Sequence, residues 1–252
     1  AIIMQSRQFI QSLAKGLLVL KAFSATRPER SVSDIAEACG MSMATVHRYL
    51  FTLKELGYLA QDAQSRRYRL TPKILGIGFA LLGTMDIKNR LLPYMLETTK
   101  AHDVTTQCAI LDETEIVILD RVRSREVVNL DIGVGSRLPV FCTAMGKAAL
   151  AFLKKADQTR IIGKIKFERH TPFTTGSARE LTLELARIRK AGYGLSDQEL
   201  TEGLRSVAAP VFREGRVEGA FGISYAVHRA QDNGLEEVLI RQVLEIARKV
   251  SF

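Results

Sequence analysis

Cysteine is scarce in this chain. Three residues in 252, Cys39, Cys108 and Cys142, are odd in number and lack any Cys-x-x-Cys spacing. That argues against a disulfide framework and a structural zinc site, and it fits a reduced, cytoplasmic setting. Histidine is as sparse: His47, His102, His170 and His228 stand far apart with no zinc-type pairing, so each reads as a surface or packing residue and no metal is expected. Long apolar runs are missing too. The longest, Ile74 to Gly83, falls far short of the roughly 20 residues a membrane helix needs, so no membrane is expected among the partners. No signal peptide is recognisable in a chain whose first residue is Ala1. Nucleotide and acyl-transfer signatures fail in detail. Gly133-Val134-Gly135-Ser136-Arg137-Leu138 carries two glycines of a dinucleotide fingerprint but Leu138 in place of the third, Gly146-Lys147 lacks the upstream glycine of a phosphate loop, and no Gly-x-Ser-x-Gly elbow occurs. No catalytic residue and no cofactor follow. There is no internal repeat or low-complexity segment.

What is present points to nucleic acid. The net charge is +9, and residues 1 to 83 hold 11 basic against 5 acidic side chains, so most of the excess sits in the first third of the chain. Within that third, residues 33 to 58 read as a helix, a glycine-hinged turn and a second helix. Ile35, Ala36 and Cys39 recur at helical spacing, Gly40 can end the first helix and Ser42 can cap the second. Val46, Tyr49, Leu50, Leu53 and Gly57 share a face. The opposite face carries Ser42, Ala44, Thr45, His47 and Arg48, short and basic side chains that let a helix approach a major groove. Next come two strand-like runs, Tyr58 to Gln61 and Tyr68 to Leu70, flanking a polar loop with Arg66 and Arg67. An isolated Arg-Arg pair is usually a solvated turn, but beside a helix-turn-helix it reads as a wing that touches phosphate.

Length and a 46% hydrophobic content suit two domains. We place a winged helix-turn-helix at residues 9–70, a linker helix at 71–86, where Thr71-Pro72 supplies a cap and first turn and Gly83-Thr84-Met85-Asp86 breaks the pattern, and a larger domain at 87–252. That domain opens with a helix from Ile87 to Ala101. Thr105 to Leu111 and Glu115 to Val122 read as a hairpin, and Val127 to Ile132 as a further strand. Thr143 to Leu153, Asp157 to Ile165, Ala178 to Ala191 and Leu235 to Val250 read as helices, and Tyr193 to Ser196, Ser206 to Phe212 and Val217 to Ala226 as strands. Adjacent strand pairs with segregated helices predict an α+β fold on an antiparallel sheet.

One constellation in the larger domain carries chemistry. Pro139 to Ala151 runs from strand into helix with Thr143 as cap, leaving the amides of Ala144, Met145 and Gly146 unpaired. Such a helix start favours an anion, although an ordinary capped helix bonded to water is the commoner case.

Across nearly its whole length the chain resembles the IclR family of bacterial transcriptional regulators. The matching stretches are Gln11 to Leu17, Thr45 to Leu50, Leu138-Pro139 with Thr143 to Ala148, and Gly203 to Val211. The resemblance implies a winged helix, a linker helix and a GAF-like effector domain with a central antiparallel sheet. It also implies a homodimer or homotetramer on palindromic double-stranded operator DNA, with a small organic acid as effector. Carried over by position, the effector pocket would comprise Cys142, Thr143, Ala144, Met145, Gly146, Ser196, Asp197, Ser206, Gly222 and Ser224. Ser206 departs from the Cys found in many members, and Gly222 from a polar side chain. Leu130 to Pro139 and Asp197 to Leu200 are most similar to members controlling aromatic-acid breakdown, so the effector is expected to be an aromatic or dicarboxylic acid. Arg137 could add a cation there or form a surface ion pair, and Phe141 and Phe221 could face a ring or fill core. Two rivals stand beside this reading: a repressor whose larger domain serves only oligomerisation, and an enzyme domain built around an activated Cys142.

Overall fold

A computed structural model describes residues 8–24, 26–82, 86–125, 132–231 and 234–252. The chain divides into two compact units, residues 1–85 and 86–252.

The first unit contains helix α1 (Gln11–Lys21), strand β1 (Glu29–Arg30), α2 (Val32–Cys39), α3 (Met43–Glu55), β2 (Leu59–Gln61) and β3 (Tyr68–Leu70). Local chemistry sets these boundaries. Ser31 and Asp34 form a reciprocal capping box at the start of α2, and Gly40 ends it in the left-handed conformation at φ 61°. Ser42 caps α3, accepting from the Thr45 amide. Val19, Ile35, Val46, Leu50, Leu59 and Tyr68 meet in the core. The strands form an antiparallel sheet in the order β1-β3-β2. The two-residue β1 was not foreseen, because its extended form comes from pairing with Arg69 and Tyr68. Beyond β3, a 3-10 turn (Pro72–Ile74), capped by Thr71, leads into α4 (Leu75–Leu82), on which Leu75, Ile77, Phe79 and Leu81 are exposed. The expected break at Gly83-Thr84-Met85 lies outside the described residues.

The second unit is a six-stranded sheet with helices on both faces. In chain order come α5 (Ile87–His102), β4 (Thr105–Asp112), β5 (Glu115–Val122), β6 (Arg137–Pro139), α6 (Ala144–Ala151), α7 (Lys155–Ile162), α8 (Ala178–Ala191), β7 (Gly194–Asp197), β8 (Leu204–Arg213), β9 (Arg216–Ala226) and α9 (Leu235–Val250). The strand order is β6-β5-β4-β9-β8-β7, antiparallel throughout. One helical layer holds α6 and α8, the other α5 and α9. The helix expected over Asp157 to Ile165 instead spans Lys155–Ile162, closed by the Gly163 amide on the Thr159 carbonyl. Except for Ile132, the strand expected over Val127 to Ile132 lies outside the described residues. No helix among the described residues is long and apolar enough to cross a membrane.

Candidate functional site

Two groups of residues invite a functional reading, one in each unit. In the first, α3 buries Val46 and Leu50 and turns Ser42, Ala44, His47 and Arg48 to the exterior, with Thr45 half-buried beside them. Ser42 and Thr45 hydroxyls lie 2.9 Å apart. Met43, overlooked in the sequence, stands 60% exposed within this face. Asp62 closes the turn between β2 and β3 by accepting from the Ser65 amide at 2.7 Å, the Ser65 hydroxyl at 2.8 Å and the Gln64 amide at 3.1 Å, which holds its carboxyl below the usual range. Arg66, at φ 58°, and Arg67 are exposed at its end. They are not equivalent: Arg67 reaches back to the Glu29 carbonyl at 3.4 Å and the Asp34 carboxylate at 3.7 Å.

In the second unit, cross-strand register assembles a cavity. Thr105 on β4 pairs with Ser224 on β9, Ser224 with Ser206 on β8, and Ser206 with Ser196 on β7, so four hydroxyl side chains cross four adjacent strands in one row. The neighbouring row runs from Arg121 on β5 through Gln107 on β4 to Gly222 on β9. These residues border one cavity between the sheet and the start of α6. Cys142, Thr143, Ala144 and Met145, entering α6, form one wall. Ile132, Leu138, Leu200 and Leu204 add apolar surface.

Gly222 lies directly against the Met145 side chain. A Cβ there would lie 2.7 Å from Met145 Cγ, so the departure from a polar side chain makes room for Met145. Gly146 and Asp197, by contrast, are not part of the lining. Gly146 lies behind the helix start, where a Cβ would sit 2.4 Å from the Val140 carbonyl oxygen, and its amide donates to Thr143 Oγ1 at 3.3 Å. Its role is close packing and capping, which corrects its placement among the anion-facing amides. Ala144 and Met145 remain, with amides that find no partner among the described residues. Asp197 turns to Arg205 at 3.5 Å. Arg137 also points elsewhere, forming surface ion pairs with Glu115 at 2.7 Å and Asp112 at 2.5 Å. Phe221 is fully buried, and Phe141 packs edge-on against Phe167 at 5.1 Å, so both aromatics are core.

The sequence reading missed the cavity's cation and its amide. Arg121 is the one charged residue in the lining, which holds no carboxylate among the described residues. Arg121 donates to the Ile132 carbonyl at 2.6 Å, and burial together with the neighbouring Arg123 lowers its pKa. Gln107 donates through Nε2 to Ser224 Oγ at 3.1 Å, and Ser206 and Ser224 hydroxyls lie 2.8 Å apart. Lys147, one residue behind Gly146, is wholly buried, 2.5 Å from Glu184 and paired with Glu199 as well. Glu199 also accepts from Thr175 Oγ1 at 2.8 Å, which anchors the segment whose next residues, Leu200 and Thr201, line the cavity. Cys142 contributes no nucleophile: burial, with Glu199 nearby, pushes its thiol up to about 12, far from the depressed values of reactive cysteines.

Comparison with known proteins agrees with this arrangement. Residues 12–63 match the IclR helix-turn-helix domain and residues 79–252 the bacterial transcriptional regulator IclR C-terminal domain. The HTH-type transcriptional regulator XynR of Escherichia coli is 31% identical over 247 residues, covering 96% of this chain and 98% of its own length. The Pca regulon regulatory protein of Pseudomonas putida is 31% identical over 242 residues, covering 95% of this chain and 82% of its own. A crystal structure of an IclR homolog complexed with 4-hydroxybenzoate, from Microbacterium hydrocarbonoxydans, superposes with a TM-score of 0.82 at 25% identity, covering 95% of this chain and 97% of that one. Both sequence relatives are named as regulators, not enzymes.

Proposed function

The chain belongs to the IclR family of bacterial transcriptional regulators, and from that premise we propose that a small aromatic carboxylic acid binds the cavity beside α6 and alters operator affinity. The observation that carries this reading is the charge of the lining: among the described residues that border the cavity, Arg121 is the one charged side chain. The amides of Ala144 and Met145 at the start of α6 add partial positive charge for the same carboxylate. Apolar side chains such as Ile132, Leu138, Leu200 and Leu204 suit a ring. The Pseudomonas relative's name and the 4-hydroxybenzoate complex of the homolog lend support from outside the chain.

Output lies with the first unit. Ser42, Ala44, Thr45, His47 and Arg48 enter a major groove, and Arg66 contacts phosphate. Ile10, Leu13 and Leu17 form an exposed apolar stripe at helical spacing, which suits a homodimer on a palindromic operator with recognition helices about 34 Å apart. The acid biases the arrangement of the dimer, and a difference of about 1–3 kcal/mol between its two states is enough to change occupancy. Thermal unfolding of the full chain with a panel of aromatic acids tests the acid site. An acid at a hundred times its dissociation constant should stabilise the second unit by about 2.7 kcal/mol, and Arg121→Met should abolish the gain. Stabilisation by no acid would leave the larger domain as an oligomerisation module.

A further inference from the structure

Gln107 has only part of its hydrogen-bonding capacity in use. It is 5% exposed on the cavity floor, and while Nε2 donates to Ser224 Oγ, Oε1 is buried with no hydrogen-bond partner. Buried acceptors are rarely left in that condition, because an oxygen shut away from water loses its hydration without replacement. No neighbouring polar group hydrogen-bonds to Oε1. Ser196 Oγ donates to the Cys142 carbonyl at 3.1 Å, the Ser206 and Ser224 hydroxyls bond each other, and on the β5 side Arg121 donates to the Ile132 carbonyl at 2.6 Å. On the β9 side Gln107 is paired with Gly222, which has no side chain to offer. Oε1 is thus open to a donor from whatever fills the cavity.

We propose that Gln107 Oε1 accepts a hydrogen bond from a ring hydroxyl of the bound acid, so that the cavity selects a hydroxylated aromatic acid over the same acid without a donor. This rests on the acid-binding reading above and adds the residue that sets specificity. The cavity then has two poles: cation and helix amides for the carboxylate, and the Gln107 oxygen for the hydroxyl. An acid lacking the donor displaces whatever water served Oε1 and gives nothing back, which is how a polar pocket rejects an analogue.

Isothermal titration of the full chain with benzoates substituted at position 3 or 4 by hydroxyl, amino, methoxy or fluoro tests the idea without any mutation. The hydroxyl and amino compounds, which can donate, should bind about 10- to 100-fold tighter than the methoxy and fluoro compounds at the ring position facing Gln107. In Gln107→Met the difference should vanish while the fluoro compound still binds. Equal affinities across the substituents, a preference for methoxy, or an unchanged ratio in Gln107→Met would each overturn the role of Gln107 and leave the acid site standing. Binding of no benzoate at all would overturn both.

Discussion

The two units present their candidate residues in opposite ways. On α3, Ser42, Ala44, His47 and Arg48 face solvent from a single helix, whereas Thr105, Gln107, Ser196, Ser206 and Ser224 are drawn from four strands and largely buried. Water satisfies the polar groups of the exposed face, so its residues can be chosen for a partner with little cost to folding. In the cavity each polar group must be satisfied internally or by a guest, so the hydrogen-bond account itself carries information about the ligand.

That contrast can be broken most forcefully at Lys147. Replacing it with Met would leave Glu184 and Glu199 facing each other without their shared cation, and removal of one member of such a buried group costs about 3–5 kcal/mol. Chemical denaturation should show this loss in the second unit and leave the first unchanged; a variant as stable as the wild type would mean that the triad is already neutral. A smaller effect is expected on the exposed face. Arg48→Ala should weaken operator binding by about 1–3 kcal/mol without altering stability, and Arg66→Ala should lower the slope of log affinity against log salt by about one unit. Because Arg67 leans on Asp34, its alanine variant should change the slope less than Arg66→Ala. Gel-shift titrations at several salt concentrations check all three, and equal slopes for the two wing variants would contradict the difference drawn between them.

The smallest effect belongs to Glu184, whose pKa is raised by burial despite the attraction of Lys147. The folded protein then holds a proton that the unfolded chain releases near pH 4.5, so Glu184 costs stability as the pH rises through its folded pKa. Glu184→Gln should flatten that decline in a series of melting curves from pH 4 upward, whereas an unchanged pH profile would place the proton elsewhere.

How much could be read in advance follows the same division. Ser42, Gly40 and the apolar spacing of Val46 and Leu50 announce the helix-turn-helix because caps and periodicity are local. The hairpin of β4 and β5 and the bounds of α8 were legible for the same reason. Gln107 and Arg121 were not, since only the register of β4 against β5 and β9 brings them to one floor. Lys147 gave no signal either, because its two carboxylates lie 37 and 52 residues away in the chain. The start of α6 was legible locally through its Thr143 cap, and family resemblance supplied the other cavity positions; between them these readings also carried in Gly146 and Asp197. The structure gives the first to packing and the second to Arg205.

A crystal structure of the full chain grown with 4-hydroxybenzoate would test the central claim most directly. The expected result is the carboxylate against Arg121 and the amides of Ala144 and Met145, with the hydroxyl directed to Gln107. A cavity left without the acid at saturating concentration, or an acid seated with its carboxylate away from α6, would contradict it.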